Sequence, residues 1–199
     1  MINAAPIIST ATDLNNKFSV DVFARKNNLF INNMNIAKDI SASILNDVEV
    51  GLFADYNIEL NGNIPTELTL INKQECKVKT TDNFPITTLE YGFTISAFIN
   101  CNVFIHILNL IPRQVVIGIG CKRNTSPQLL SAFVKNTLDK YNISPKAVAA
   151  ITSIDIKKNE KAIIELSKEY NCPFVTYSAD TLRNVAGQFS HSDFVANVT

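Results

Sequence analysis

Apolar and polar positions alternate at readable periods along most of the chain. Pro6-Ile7-Ile8-Ser9 reads as the end of a buried strand, and Thr10-Ala11-Thr12-Asp13 as a polar loop. Phe18, Val22 and Phe23 fall at i, i+4 and i+5 and run into Arg25-Lys26, which predicts a short amphipathic helix with a cationic last turn. Ile36, Ile40, Ile44 and Leu45 form one stripe, a second helix. Val48 to Ala54 is β-branched and aromatic, the composition of a strand, and Asn61-Gly62-Asn63 with Ile64-Pro65 signals turns. The stretch from Asn83 to Leu110 is rich in Ile, Phe and Thr. Its last part, from Asn102, has apolar side chains on both faces and predicts a well-covered strand. His106 lies inside that run and reads as a hydrogen-bonded strand residue rather than a catalyst.

Beyond Pro112-Arg113 the pattern becomes regular. Val115 to Ile119 predicts a strand that ends in Gly118-Ile119-Gly120, and Cys121 to Thr125 a loop. Ser126 is a good N-cap, with Pro127 at the favoured first helical position. Leu130, Phe133, Val134, Thr137, Leu138 and Tyr141 form the expected buried stripe of the helix that follows. A short helix begins at Pro145, and a strand spans about 149–154. A loop follows over 155–158, a helix from about Asn159 to Tyr170, a strand at 173–177 and a helix at 178–185. Strands that alternate with helices imply βαβ units. The fold class is therefore α/β. Residues 113–199 are expected to form a three-layer α/β domain. Residues 35–112 form a smaller α+β linker domain, and residues 1–34 are the tail of an upstream α/β domain.

The 199 residues are 46% hydrophobic and 18% charged, enough for a sizeable core, and the formal net charge is +0. That balance argues against a nucleic-acid partner, which requires a basic surface to displace counterions. No apolar run approaches the length that spans a bilayer, and the first fifteen residues lack the basic and apolar segments of a secretory signal. The four cysteines, Cys76, Cys101, Cys121 and Cys172, include no C-x-x-C pair, and only His106 and His191 could join them as soft ligands. Reduced thiols, no metal site and a cytoplasmic location are expected.

Charge is divided unevenly. Residues 1–110 carry seven Lys or Arg against eleven Asp or Glu, and residues 111–199 carry the reverse. The second part is thus suited to an anionic ligand. In open α/β sheets ligands collect at the carboxyl ends of strands, beside helix N-termini. Two loops have that placement. The first runs Gly118-Ile119-Gly120-Cys121-Lys122-Arg123-Asn124-Thr125-Ser126. Its glycines let a backbone come close to a ligand, and its N–H groups, Lys122 and Arg123 favour anions. Thr125 and Ser126 add hydroxyls. It fits neither a dinucleotide motif, because Arg123 stands at the third glycine position, nor a P-loop. A tight turn with solvated cations remains the plain alternative. The second loop, Thr152 to Glu160, gathers Asp155, Lys157, Lys158 and Glu160. An ionised Asp there could orient water or accept a proton. The alternative is a charged surface loop whose Asp155 or Asn159 caps the next helix. Cys121 reads as a small buried thiol rather than a nucleophile.

Taken together, Gly118 to Ser126, Ile154 to Glu160, Pro173-Phe174 with Ser178 to Leu182, and Ser190 to Val195 resemble segments of the C-terminal domain of the cobalt-precorrin 5A hydrolase family of cobalamin (vitamin B12) biosynthesis. Pro6 to Asp13 with Val20 to Ala24 resembles the end of that family's N-terminal domain. The resemblance covers nearly the whole chain and is least specific over about 48–100. It departs at Asn124, where the family usually has glycine; Asn tolerates positive φ, so the turn is kept. It implies further segments on both sides of this chain, so that the C-terminal domain over 113–199 is expected to be incomplete.

The resemblance implies a hydrolase of the anaerobic pathway. Water opens the ring lactone of a cobalt corrinoid, and a two-carbon unit leaves as acetaldehyde to give cobalt-precorrin 5B. The cobalt belongs to the substrate and no other cofactor is implied. The tetrapyrrole-derived substrate carries acetate and propionate arms. These suit Lys122, Arg123, Lys157 and Lys158 as carboxylate grips. The Gly120 and Cys121 N–H groups, with Thr125 and Ser126, suit oxyanion donors, Gly118 falls with the substrate-binding residues, and Asp155 or Glu160 suits a base. A non-catalytic corrinoid-binding or assembly module, exchanging corrinoid with other pathway enzymes, is the alternative. An unrelated nucleotide-binding domain is the third reading.

Overall fold

The computed structural model describes residues 18–55, 60, 64–71, 87–99 and 101–185. The chain divides into two compact units between Arg113 and Gln114. The segments Pro6–Asp13, Asn61–Asn63 and Ser190–Val195, together with Cys76 and His191, lie outside the described residues.

The first unit is built on a five-stranded sheet of order β1-β5-β4-β2-β3. Its strands are β1 (Leu29–Ile31), β2 (Val50–Ala54), β3 (Leu68–Ile71), β4 (Tyr91–Ile95) and β5 (His106–Pro112). β2 pairs in parallel with both β3 and β4, and β4 in parallel with β5. β1 runs antiparallel to β5, with Leu29 opposite Pro112 and Ile31 opposite Leu110. Helices α1 (Val20–Lys26) and α2 (Met34–Leu45) bury Val20, Phe23, Ala37, Ile40 and Ile44 in one core with Leu52, Phe93, Ile95, Leu108 and Leu110. This differs from the expectation that 1–34 is the tail of a separate upstream domain. Residues 18–31 supply an edge strand and a core helix to the same sheet as 35–112, because Phe18 and Phe23 find their apolar partners there.

Four helix ends share one device. Past α1 and α2, and past α3 (Pro127–Lys140) and α4 (Lys161–Glu169) of the second unit, the second residue is Asn28, Asp47, Asn142 or Asn171, each at positive φ. Left-handed residues after a helix are usually glycine. This chain has only six glycines and uses Asn or Asp, whose short polar side chains tolerate that conformation. His106 behaves as expected. It opens β5, its ring stacks on Tyr91 with centroids 4.7 Å apart, and its Nε2 lies 3.4 Å from a Glu90 carboxylate oxygen. Ile105, just before the strand, is 76% exposed, so the apolar run is not covered throughout.

The second unit carries a parallel sheet of order β6-β7-β8: β6 (Val115–Gly118), β7 (Val148–Ile154) and β8 (Phe174–Tyr177). α3 crosses from β6 to β7 and α4 from β7 to β8. Both crossovers step the same way along the sheet, so right-handed connections put both helices on one face. There Leu130, Val134 and Leu138 meet Ala162, Ile163 and Leu166 over Val148 and Ile151. Val115 pairs with Val148 but Val116 with Ala150. The extra residue is a bulge that keeps Val148 and Ile151 on the core side. Phe133 and Tyr141, expected in the buried stripe of α3, are instead 69% and 57% exposed. Residues 130, 134 and 138 repeat at i, i+4, i+8 and already fill the contact with α4. The strands and helices of 115–183 otherwise stand within two or three residues of their expected bounds.

Candidate functional site

The carboxyl ends of β6 and β7 are tied together beyond their paired residues. Ile119 N–H donates to the Thr152 carbonyl at 2.8 Å, and the Ser153 hydroxyl donates to the Ile119 carbonyl at 2.7 Å. The first loop therefore leaves the sheet held against the strand that feeds the second. It then turns into α3. Ser126 has extended backbone and its Oγ accepts from Leu129 N–H, with Pro127 at the first helical position, as expected. The Thr125 hydroxyl donates to the Lys122 carbonyl at 2.7 Å and the Ser126 hydroxyl to Gln128 Oε1 at 2.8 Å. Both hydroxyl protons thus close the turn rather than face a ligand, which reduces their value as oxyanion donors. Asn124 takes φ 59°, the left-handed conformation at which the family resemblance expects glycine.

The second loop begins with a 3-10 turn, Asp155–Lys157, and runs into α4. Neither Asp155 nor Asn159 caps that helix. The N-cap is Glu160, whose own side chain makes no capping bond. Its carboxylate reaches across instead. Glu160 Oε1 accepts from the Asn124 N–H at 3.0 Å, and Oε2 lies 3.5 Å from Lys157 Nζ. The Glu160 and Lys157 side chains are 8% and 17% exposed. One carboxylate therefore joins the two loops. Sequence spacing could not reveal this link, because 36 residues separate Asn124 from Glu160.

This link sorts the expected site residues. Lys122, Arg123 and Lys158 are exposed and make no ion pair among the described residues. Lys157 is engaged by Glu160. Asp155 is half-buried, and its carboxylate has no partner among the described residues. The N–H groups of Gly120, Cys121, Lys122 and Arg123 likewise make no hydrogen bond among the described residues. Successive N–H groups of this kind, beside a helix N-terminus and two cations, favour an anion. Gly118 and Gly120 are exposed; a Cβ at Gly120 would meet nothing within 4 Å. The Cys121 thiol packs against the core of this unit. Cys101, Cys121 and Cys172 are not disulfide-bonded. Among the described residues no helix is long and apolar enough to cross a membrane, and no cluster of three or more His, Cys, Asp or Glu is placed to hold a metal ion.

Comparison with known proteins converges on one family. A model described as "Cobalamin biosynthesis central region" matches residues 18–112, and one described as "Cobalamin synthesis G C-terminus" matches residues 115–199. A cobalt-precorrin-5A hydrolase of Salmonella typhimurium is 28% identical over 207 residues, which covers 98% of this chain and 54% of that protein. One of Priestia megaterium is 25% identical over 195 residues, covering 94% and 50%. The chain thus spans about half the length of the curated relatives it matches. The crystal structure of a cobalamin biosynthesis protein G homolog from Sulfolobus solfataricus is 16% identical, covers 92% of this chain and 52% of its own, and superposes with a TM-score of 0.38. With one family model matching most of the first unit and another the second, the chain belongs to the cobalamin biosynthesis protein G (CbiG) family.

Proposed function

We propose that this chain supplies the central and C-terminal parts of a cobalt-precorrin-5A hydrolase and holds its corrinoid substrate at the carboxyl edge of β6 and β7. The observation that carries this reading is the Asn124–Glu160 hydrogen bond. It brings the loop of Lys122 and Arg123 and the loop of Asp155 and Lys158 to one rim. Exposed cations and unfilled N–H groups on that rim suit a macrocycle with several carboxylate arms, for which Arg offers a two-pronged grip.

In the proposed reaction, Asp155 takes a proton from water as the water attacks the lactone carbonyl. The N–H groups of Cys121 and Lys122 donate to the oxyanion that develops. Collapse breaks the ring C–O bond and leaves a carboxylate and a 1-hydroxyethyl group. Loss of that hydroxyl proton breaks the C–C bond to the ring. Acetaldehyde departs, and the electron pair left on the ring carbon takes up a proton. The balance is one water consumed and one acetaldehyde released, with cobalt carried by the substrate. A non-catalytic binding module would use the same rim without the hydrolytic step. The engagement of both Glu160 oxygens favours it in one respect, since only Asp155 is left to act as base.

The test is incubation of the chain with cobalt-precorrin 5A and assay of acetaldehyde, with titration of corrinoid binding in parallel. Replacement of Lys122 and Arg123 together by Ala is expected to weaken binding by at least about tenfold, the scale of one charged hydrogen bond lost. Unchanged binding rejects the site. Binding without acetaldehyde release selects the binding module.

A further inference from the structure

We infer that Glu160 and Lys157 form a neutral latch that shapes the anion-binding turn, and that Lys157 does not itself hold the substrate. This rests on the proposed carboxylate site and sharpens it. Asn124 follows directly on the four amides that lack partners among the described residues, and its positive φ sets the direction in which the preceding N–H groups point. Its own N–H is committed to Glu160 Oε1 at 3.0 Å. Glu160 therefore acts on the site through backbone geometry and is a positioning residue. A carboxylate beside a seat meant for other carboxylates would repel them. Lys157 Nζ, 3.5 Å from Oε2, cancels that charge, and the low exposure of both side chains limits screening by solvent. The cations left to meet a ligand are Lys122, Arg123 and Lys158.

The two roles open to Lys157 make opposite predictions. If Lys157 gripped the substrate, its loss would weaken binding whatever the charge of Glu160. In a latch, its loss acts through the exposed charge of Glu160, so removal of that charge as well restores binding.

The experiment compares the wild-type chain with Lys157→Met, Glu160→Gln, Glu160→Ala and the double variant Lys157→Met/Glu160→Gln. Calorimetric titration with cobyrinic acid, a corrinoid polycarboxylate, reads binding, and amide exchange by NMR reads the Asn124 N–H in the unliganded protein. Lys157→Met is expected to weaken binding about tenfold, as for one uncompensated charge near the site. The double variant returns to within about threefold of wild type, and so does Glu160→Gln, whose side-chain carbonyl still accepts from Asn124. Glu160→Ala speeds Asn124 exchange on the order of tenfold, and Glu160→Gln does not. A double variant that binds no better than Lys157→Met overturns the latch, as does Asn124 exchange unaltered in Glu160→Ala. If the wild-type chain does not bind cobyrinic acid, the corrinoid reading fails and the exchange comparison alone decides the latch. Should Glu160→Ala not fold, the Lys157→Met and double variants still separate the two roles.

Discussion

Gly51 and Gly92 sit opposite each other on adjacent parallel strands, and the ring of Phe104 lies across both. A Cβ built on Gly51 would stand 2.4 Å from a Phe104 ring carbon, and one on Gly92 would meet three ring carbons at 2.4–2.5 Å. The missing side chains are the slot into which the ring fits, on the face of the sheet opposite α1 and α2. Phe104 shares a small core there with Phe53, Cys101 and Val103. Gly92→Ala must displace the ring and is expected to cost about 1–3 kcal/mol, the usual range for overpacking. In a Phe104→Ala background the same change meets no ring, so its cost should fall close to zero. Urea denaturation of the four proteins of that cycle reads the coupling. Additive effects would show that the ring does not depend on the glycine pair.

The helix ends give a second test. Asn28 is left-handed at φ 52° after α1. A β-branched residue there should cost about 1–2 kcal/mol, the penalty of left-handed backbone for an ordinary L-residue. Glycine should be tolerated, since it adopts that conformation freely and loses only unfolded-state entropy. Thermal melts of Asn28→Val and Asn28→Gly check the ordering. Equal melting temperatures would refute the role given to Asn28.

The second unit was largely legible in the sequence because each signal is local. Ser126-Pro127 starts α3, Val115–Ile117 is β-branched, and Leu130, Val134 and Leu138 repeat at helical spacing. What was not legible depends on distant partners. Phe133 fits the stripe on paper but lies outside the contact with α4. The three residues of β1 are too few to show a period, so their place beside β5 is fixed by pairing alone. The candidate site divides the same way. Both loops could be recognised as charged turns at strand ends, and family resemblance joined them. The hydrogen bond from Asn124 to Glu160 spans two loops, and with Lys157 it engages both oxygens of the Glu160 carboxylate.

Salt should report on the rim. Lys122, Arg123 and Lys158 are exposed, so their attraction for a ligand's carboxylates is open to screening. Cobyrinic acid affinity should therefore fall steadily as ionic strength rises through about 0.1 M, where the Debye length is about 10 Å. Arg123→Lys keeps the charge but loses the fork, and should fall between wild type and Arg123→Ala at every salt concentration. An affinity indifferent to salt would place binding on apolar contact instead of these three cations.

The last prediction concerns alkaline stability. The Tyr170 phenol is held above its ordinary value, first by burial and then by the negative fields of Glu169, Asp139 and Cys172. The folded state therefore keeps a proton that the unfolded chain releases at about pH 10. The stability from this shift is fully present below that value and is lost as the pH rises through the raised folded value. Tyr170→Phe cannot ionise in either state. It forfeits whatever the hydroxyl contributes at neutral pH but none of the alkaline decline. The gap in urea midpoint between wild type and Tyr170→Phe should hence shift in favour of the variant between about pH 8 and about pH 11. Every other group is common to both proteins, so the difference between the two isolates Tyr170. A gap that stays constant across the window would mean that the folded and unfolded phenols release their protons alike.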